Sequence, residues 1–153
     1  MPIIDSGFGW TLDLDGISDA FAKGAESIIL CQPYNPLGRV FTIDELRGLA
    51  EVVDRHHGFV VSDEIHGPLV PAGESRKASV PYASISELAS SHSVLVSSAS
   101  KSFNLPGLMT AFVTLFTDEQ AKVWDEKVHP LDAEGVTTIG MAANKAAFDS
   151  GQE

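Results

Sequence analysis

The sequence predicts an α/β domain built on a mainly parallel sheet with helices on both faces. Two observations carry this. Apolar runs of strand length, SIILCQ (27–32), FVVS (59–62) and SVLVSS (93–98), alternate with stretches of helical periodicity, a pattern that needs cover on both sheet faces. The 153 residues, 44% of them apolar, suffice for one globular domain with a real core and are too few for two.

The elements follow in order. Asp15 is placed to cap a short helix over residues 16–23 that Gly24 stops, and the strand at 27–32 ends against Pro33 and Pro36. Thr42 and Glu45 form a T-x-x-E capping box, behind which Ile43, Leu46, Leu49, Ala50 and Val53 share one helical face, with Gly58 as the stop. After the strand at 59–62, Pro68 to Pro81 reads as a long surface loop and ISELASS (85–91) as a short helix. AFVTLF (111–116) reads as a strand. TDEQAKVWDEKV (117–128) has the acidic start of a helix with Trp124 on its buried face, and the Ala-rich stretch at 136–149 is helical by composition. No repeat or low-complexity tract interrupts the chain.

Charge and composition exclude several classes. Twenty-one acidic against ten basic side chains give a formal charge of -11, which repels nucleic acid and anionic lipid. No apolar run approaches the ~20 residues of a membrane span, and the N-terminus has no export pattern, so the chain reads as cytoplasmic. The single cysteine, Cys31, cannot form an internal disulfide and sits beside Ile28, Ile29 and Leu30 as a buried structural thiol. His56, His57, His92 and His129 lack metal-ligand spacing and read as surface residues; no metal site is expected.

Chemistry concentrates at the strand exits. Asn35 follows the first apolar run, Asp63 the second, and Ser98 and Lys101 the third. In open α/β sheets ligands bind outside the carboxyl ends of the strands. Packing a parallel sheet does not call for an amide, a carboxylate and an amine at consecutive exits, yet this set suits pyridoxal phosphate, with Lys101 as the Schiff-base residue. Each group also has a structural reading: a helix cap or loop carboxylate for Asp63, a turn start for Asn35 before Pro36, a strand-end hydroxyl for Ser98. Gly38 serves a turn, Arg39 a structural contact, and the acids of IDEL and TDEQ are helix-start charges.

The segments CQPYNPLGRVFT (31–42), VVSDEIHGPL (60–69), PYASIS (81–86) and SSASKSFNLPGL (97–108) resemble, in order and spacing, the large domain of fold-type I pyridoxal phosphate enzymes of the class I/II aminotransferase superfamily. The DEIH pattern, with His66 where many aminotransferases have Tyr, is similar to the MalY/PatB branch of cystathionine β-lyase-like enzymes. The resemblance runs from about Asp13 to the last residue. It implies that Lys101 binds the cofactor and moves the substrate's α proton, and that Asp63 keeps the pyridine nitrogen protonated. Asn35 bonds the phenolic oxygen, His66 lies near that oxygen, and Ser98 contacts the phosphate. Eight residues after the lysine, where many relatives carry a basic residue on the phosphate, this chain has Met109.

Relatives of roughly 350–400 residues comprise more than one domain, so the resemblance implies that residues 1–153 correspond to the central part of one large domain, without the N-terminal segment and the C-terminal small domain. The resemblance implies a carbon–sulfur β-lyase acting on a sulfur amino acid, homodimeric at full length. A class I/II aminotransferase and a non-catalytic regulatory or interaction protein of the same fold are the alternatives.

Overall fold

The computed structural model of the chain describes residues 2–7, 9–70, 79–129 and 135–151. In chain order the strands are β1 (Ile3–Asp5), β2 (Trp10–Leu12), β3 (Ser27–Cys31), β4 (Phe59–Asp63), β5 (Ser93–Ser97) and β6 (Phe112–Thr114). The helices are α1 (Leu14–Ala22), α2 (Ile43–Arg55), α3 (Glu87–Ser91), α4 (Ala99–Ser102), α5 (Asp118–Lys127) and α6 (Thr138–Ser150). Single 3-10 turns occupy Gly67–Leu69, Tyr82–Ile85 and Pro106–Leu108.

The expected sheet is present, in the order β3-β4-β5-β6, with β3, β4 and β5 parallel and β6 antiparallel to β5. Its alternation separates two faces. Leu30, Val60, Ser62 and Ser93 are buried on the face that carries the core, where α1, α2 and α3 contribute Ile17, Phe21, Leu46, Leu49, Val53 and Ala89. On the other face α5 borders Phe59 and Val94, while Ile29 remains 63% exposed. Only residues 112–114 of the expected 111–116 strand pair with β5. The β1–β2 hairpin, in register Ile3 with Leu12, is not foreshadowed by periodicity because three-residue strands carry too little pattern.

The helix ends follow local chemistry, with two corrections. Asp13, not Asp15, caps α1, its Oδ1 accepting from Gly16 N at 2.9 Å, while Asp15 lies in the first turn. A cap side chain serves an amide two or three positions on, and Asp13 is the residue at that distance from the first free donors. At the end of α2 the left-handed residue is His57 (φ 54°), not Gly58. Gly58 answers a different need: a Cβ there would lie 2.5 Å from the Phe21 ring. The capping box of α2 is as expected, with Glu45 N bonded to Thr42 Oγ1 at 3.2 Å and Thr42 N to Glu45 Oε2 at 2.7 Å. A second one, Thr117 with Gln120, opens α5. Gln120 Nε2 also donates to Ser93 O at 2.9 Å, which ties α5 to the start of β5.

Further expectations need adjustment. The helix at 85–91 begins two residues later, after the 3-10 turn. Trp124 is half-buried and α5 has no fully buried residue, because an open groove lined by Phe59, Val94 and Trp124 lies between α5 and the sheet. Cys31 is half-buried, its thiol near Pro33 O at 3.4 Å, since it lies on the less covered face. His92 is not a free surface residue. Its Nε2 meets Tyr82 Oη at 2.9 Å, and burial pushes its pKa down, against a smaller upward pull from Asp54. His56 stacks on Phe21 and meets Ser18 Oγ at 2.9 Å. Of the loop expected at Pro68–Pro81, residues 71–78 lie outside the described residues.

Two outcomes are expected in urea unfolding. Leu49→Ala, which empties a fully buried position on α2, costs about 2–5 kcal/mol, whereas Thr42→Ala, which removes a cap, costs about 1 kcal/mol. A folded-state pKa below the unfolded value means that the unfolded chain takes up the His92 proton first. Stability is therefore full above roughly pH 6.5 and falls as the pH drops through the window below it, and His92→Gln flattens that fall.

Candidate active site

The register of the parallel strands levels the three exits that matter. Cys31 pairs with Asp63, Asp63 with Val96, and Gln32 N bonds Asp63 O at 2.9 Å. The continuations of β3, β4 and β5 thus leave the sheet along one edge. Asn35, Asp63 and the Ser98–Lys101 segment all start from it.

Asn35 sits in a turn closed by Gly38 N to Tyr34 O at 2.7 Å and Tyr34 N to Arg39 O at 2.8 Å. Gly38 holds a φ of 63°, the left-handed conformation its sequence position implied. The turn is anchored from beneath by buried Gln32, whose Oε1 accepts from Phe41 N at 3.0 Å. Arg39 anchors it from the side, with Nε on Trp10 O at 2.8 Å and Nη2 on Glu45 at 2.8 and 2.9 Å. Burial alone would push Glu45 up, but the Thr42 amide, the Thr11 and Thr42 hydroxyls and the Arg39 charge hold its carboxyl below the usual range. Arg39 is thus the structural residue the sequence suggested.

Asp63 ends β4 on the less covered face, next to Cys31 and Val96. It caps no helix among the described residues; its Oδ1 accepts from Ile65 N at 3.3 Å. His66 follows in the turn that precedes Gly67–Leu69, and with Asn35 it lines a cleft of about 920 Å³ whose other walls include Trp10, Tyr34, Leu37 and Leu69. Lys101, Asp63 and Ser98 do not line that cleft.

Lys101 is carried by the four-residue helix α4, which packs against the Gly67–Leu69 turn and against α6. Its side chain is exposed, and no ion pair among the described residues engages it. Ser98 is the N-cap of α4. Its hydroxyl accepts from Ser100 N at 3.0 Å and donates to Thr110 O at 2.5 Å, so its one proton is committed to the main chain. That is the strand-end role weighed against a phosphate contact. Met109 is 83% exposed, with φ 47° and ψ 47°.

Sequence reasoning missed what fixes α4. Asn144 Oδ1 on α6 accepts from Ala99 N at 2.7 Å, and Phe148 packs edge-on against Phe103 and Phe112, with centroids 5.8 and 5.5 Å apart. α6 comes this close because Gly140 has no side chain; a Cβ there would lie 2.7 Å from Leu108 O. The available signal was Asn144 itself, a polar residue of low helix propensity inside an Ala-rich run.

The arrangement offers an unpaired amine, a half-exposed carboxylate and a carboxamide above one sheet edge. Such a donor set can hold a proton on a ring nitrogen, bond a phenolic oxygen and attack a carbonyl carbon.

Known proteins resemble this chain over nearly its whole length. The cystathionine β-lyase of Corynebacterium glutamicum is 33% identical over 141 residues, 92% of this chain and 37% of that protein. Protein MalY of Escherichia coli K12 is 32% identical over 145 residues, 94% of this chain and 36% of that protein. A crystal structure from Corynebacterium diphtheriae, assigned as a PLP-dependent β-cystathionase, superposes with a TM-score of 0.82 at 34% identity, covering 97% of this chain and 37% of the other. The chain therefore spans little more than a third of the length of these relatives. Residues 4–149 match the family aminotransferase class I and II, and the chain belongs to that family.

Proposed function

We propose that this chain carries the lysine-bearing part of a pyridoxal phosphate site, and that the enzyme it belongs to is a carbon–sulfur β-lyase acting on a sulfur amino acid such as cystathionine or cysteine. The observation that carries the reading is the shared edge from which Asn35, Asp63 and Lys101 leave three strands in register. The kinship with proteins named cystathionine β-lyase, and with MalY, points the same way.

The donor set fits the group. Pyridoxal phosphate, when bound, supplies an electron sink for a bond broken at the substrate's α carbon. Lys101 Nζ holds the group and then takes the α proton; its exposed, unpaired amine suits both roles. Asp63 would accept from the protonated pyridine nitrogen, since the Ile65 contact uses only one of its two carboxylate oxygens. Asn35 and His66, on the wall of one cleft, provide donors for the phenolic oxygen. Ser98 reaches the phosphate by turning its hydroxyl from Thr110 O, and Met109 supplies no charge there, so groups outside these residues carry most of the phosphate's neutralisation. With the α proton taken by Lys101, the overall reaction would release the thiol from the β carbon and, with one water, leave pyruvate and ammonia.

The same reading makes residues 1–153 the central part of a large domain and the enzyme a cytoplasmic homodimer. The net charge of -11 disfavours nucleic acid and anionic lipid as partners, and no helix among the described residues is long and apolar enough to cross a membrane.

Borohydride treatment of the chain after addition of pyridoxal phosphate is expected to fix one pyridoxyl group on Lys101, located by peptide mass spectrometry; labelling spread over other lysines would count against the site. In the enzyme of which this chain is part, L-cystathionine is expected to yield pyruvate without an added keto acid. Lys101→Ala should lower that rate by about 10²–10⁴-fold. Dependence on a keto acid acceptor would transfer the assignment to a transaminase.

A further inference from the structure

We infer that Glu64 is a positioning residue whose carboxylate, by gripping the main chain of Tyr82, fixes the Asp63–His66 segment at the sheet edge. The inference rests on the proposed site, but its geometry can be tested without it.

Among the described residues Glu64 is the only Asp, Glu, Lys, Arg or His that is buried, at 6% exposure. A carboxyl group in an apolar core is costly unless its oxygens are used. Oε1 is used twice, accepting from Ser62 Oγ at 2.7 Å and from Tyr82 N at 2.9 Å. The main chain of the same residue makes two further bonds: its N donates to Val96 O at 2.9 Å, and its O accepts from Gly67 N at 2.8 Å. One residue therefore joins the end of β4, the adjacent strand β5, the turn after His66 and the returning chain at Tyr82.

Direction matters here. Successive strand residues point to opposite faces, so as Glu64 grips the core side, Asp63 is presented on the less covered side. Tyr82 is a firm anchor. It is fully buried, and its hydroxyl meets His92 one residue before β5. The chain that leaves after Glu64 is thereby tied back to the point it left. The PYASIS segment thus has a physical role, because its Tyr82 supplies the amide that the carboxylate holds. Burial pushes the Glu64 pKa up, the Ser62 and Tyr82 contacts oppose it, and the Asp63 charge adds to it. A neutral carbonyl in the same place could accept the same two bonds, so the role requires an acceptor at this reach rather than a charge.

The test is residue-resolved amide exchange on the 153-residue chain, combined with pyridoxal phosphate labelling of Lys101. In Glu64→Met, which keeps the volume and removes the acceptor, the Tyr82 and Gly67 amides should exchange about tenfold faster or more while Leu30 in β3 and Leu49 in α2 are unchanged. Glu64→Gln should restore protection to within about threefold. Wherever the parent chain labels at Lys101, its apparent affinity should follow the same order. Unchanged protection at Gly67, an equal acceleration at Leu30 and Leu49, failure of Gln to rescue, or labelling indifferent to all variants would each overturn the inference. If Glu64→Met does not fold, Glu64→Asp, whose shorter carboxylate withdraws from Tyr82 N, is expected to lose Gly67 protection selectively, and its retention would overturn the inference. A parent chain that never labels at Lys101 counts against the proposed site and leaves the exchange result to decide on Glu64.

Discussion

Everything at the site hangs on the parallel register of β3, β4 and β5. Parallel strands exchange slanted, evenly spaced hydrogen bonds and must run the same way, so all three release their chains at one edge. Cys31, Asp63 and Val96 lie level there, and the bonds from Gln32 N to Asp63 O and from Glu64 N to Val96 O carry that level past the last paired residues. A slip of one residue in β4 would turn Asp63 towards the core and Glu64 away from it. The buried Val60 and Ser62 oppose such a slip, because their face is the one packed against α2 and α3.

Beyond the sheet, the polar segments are held chiefly by hydrogen bonds to the main chain, not by apolar contact. Gln32 and Arg39 hold the Asn35 turn, Asn144 and Ser98 hold α4, and Glu64 holds the chain after Asp63. Such restraint leaves side chains at the tips free to meet a ligand while their backbone is fixed. Apolar packing could not do this at an exposed edge, since the area available for burial is small. Phe148 is the exception, bracing the end of α4 through Phe103.

The sequence conveyed the core strands and the cap of α2 well because both are local signals. SIILCQ and FVVS are continuous apolar runs, and T-x-x-E names its own hydrogen bonds. What it hid was long-range. Nothing near Asn144 says that its amide oxygen meets Ala99, 45 residues earlier, and nothing in DEIH distinguishes the buried acid from its half-buried neighbour except alternation along the strand. Asn35, Asp63 and Lys101 could be placed at one edge because strand ends are legible. The committed hydroxyl of Ser98 could not be foreseen, since its acceptor, Thr110 O, arrives from a turn with no periodic signature. His92 went wrong for the same reason: its partner, Tyr82, lies on a 3-10 turn that composition alone does not reveal.

Glu45 accepts from Thr42, Thr11 and Arg39, so one carboxylate ends up shared by a helix start, the β1–β2 hairpin and the Asn35 turn. The consequence is evolutionary. A change at position 45 unmakes three contacts at once, and a change at 11 or 39 strands part of a carboxylate that the other donors still need. Among sequences descended from this one, positions 11, 39 and 45 should therefore drift as a group, with the variation of each conditional on the others even though they lie on separate elements.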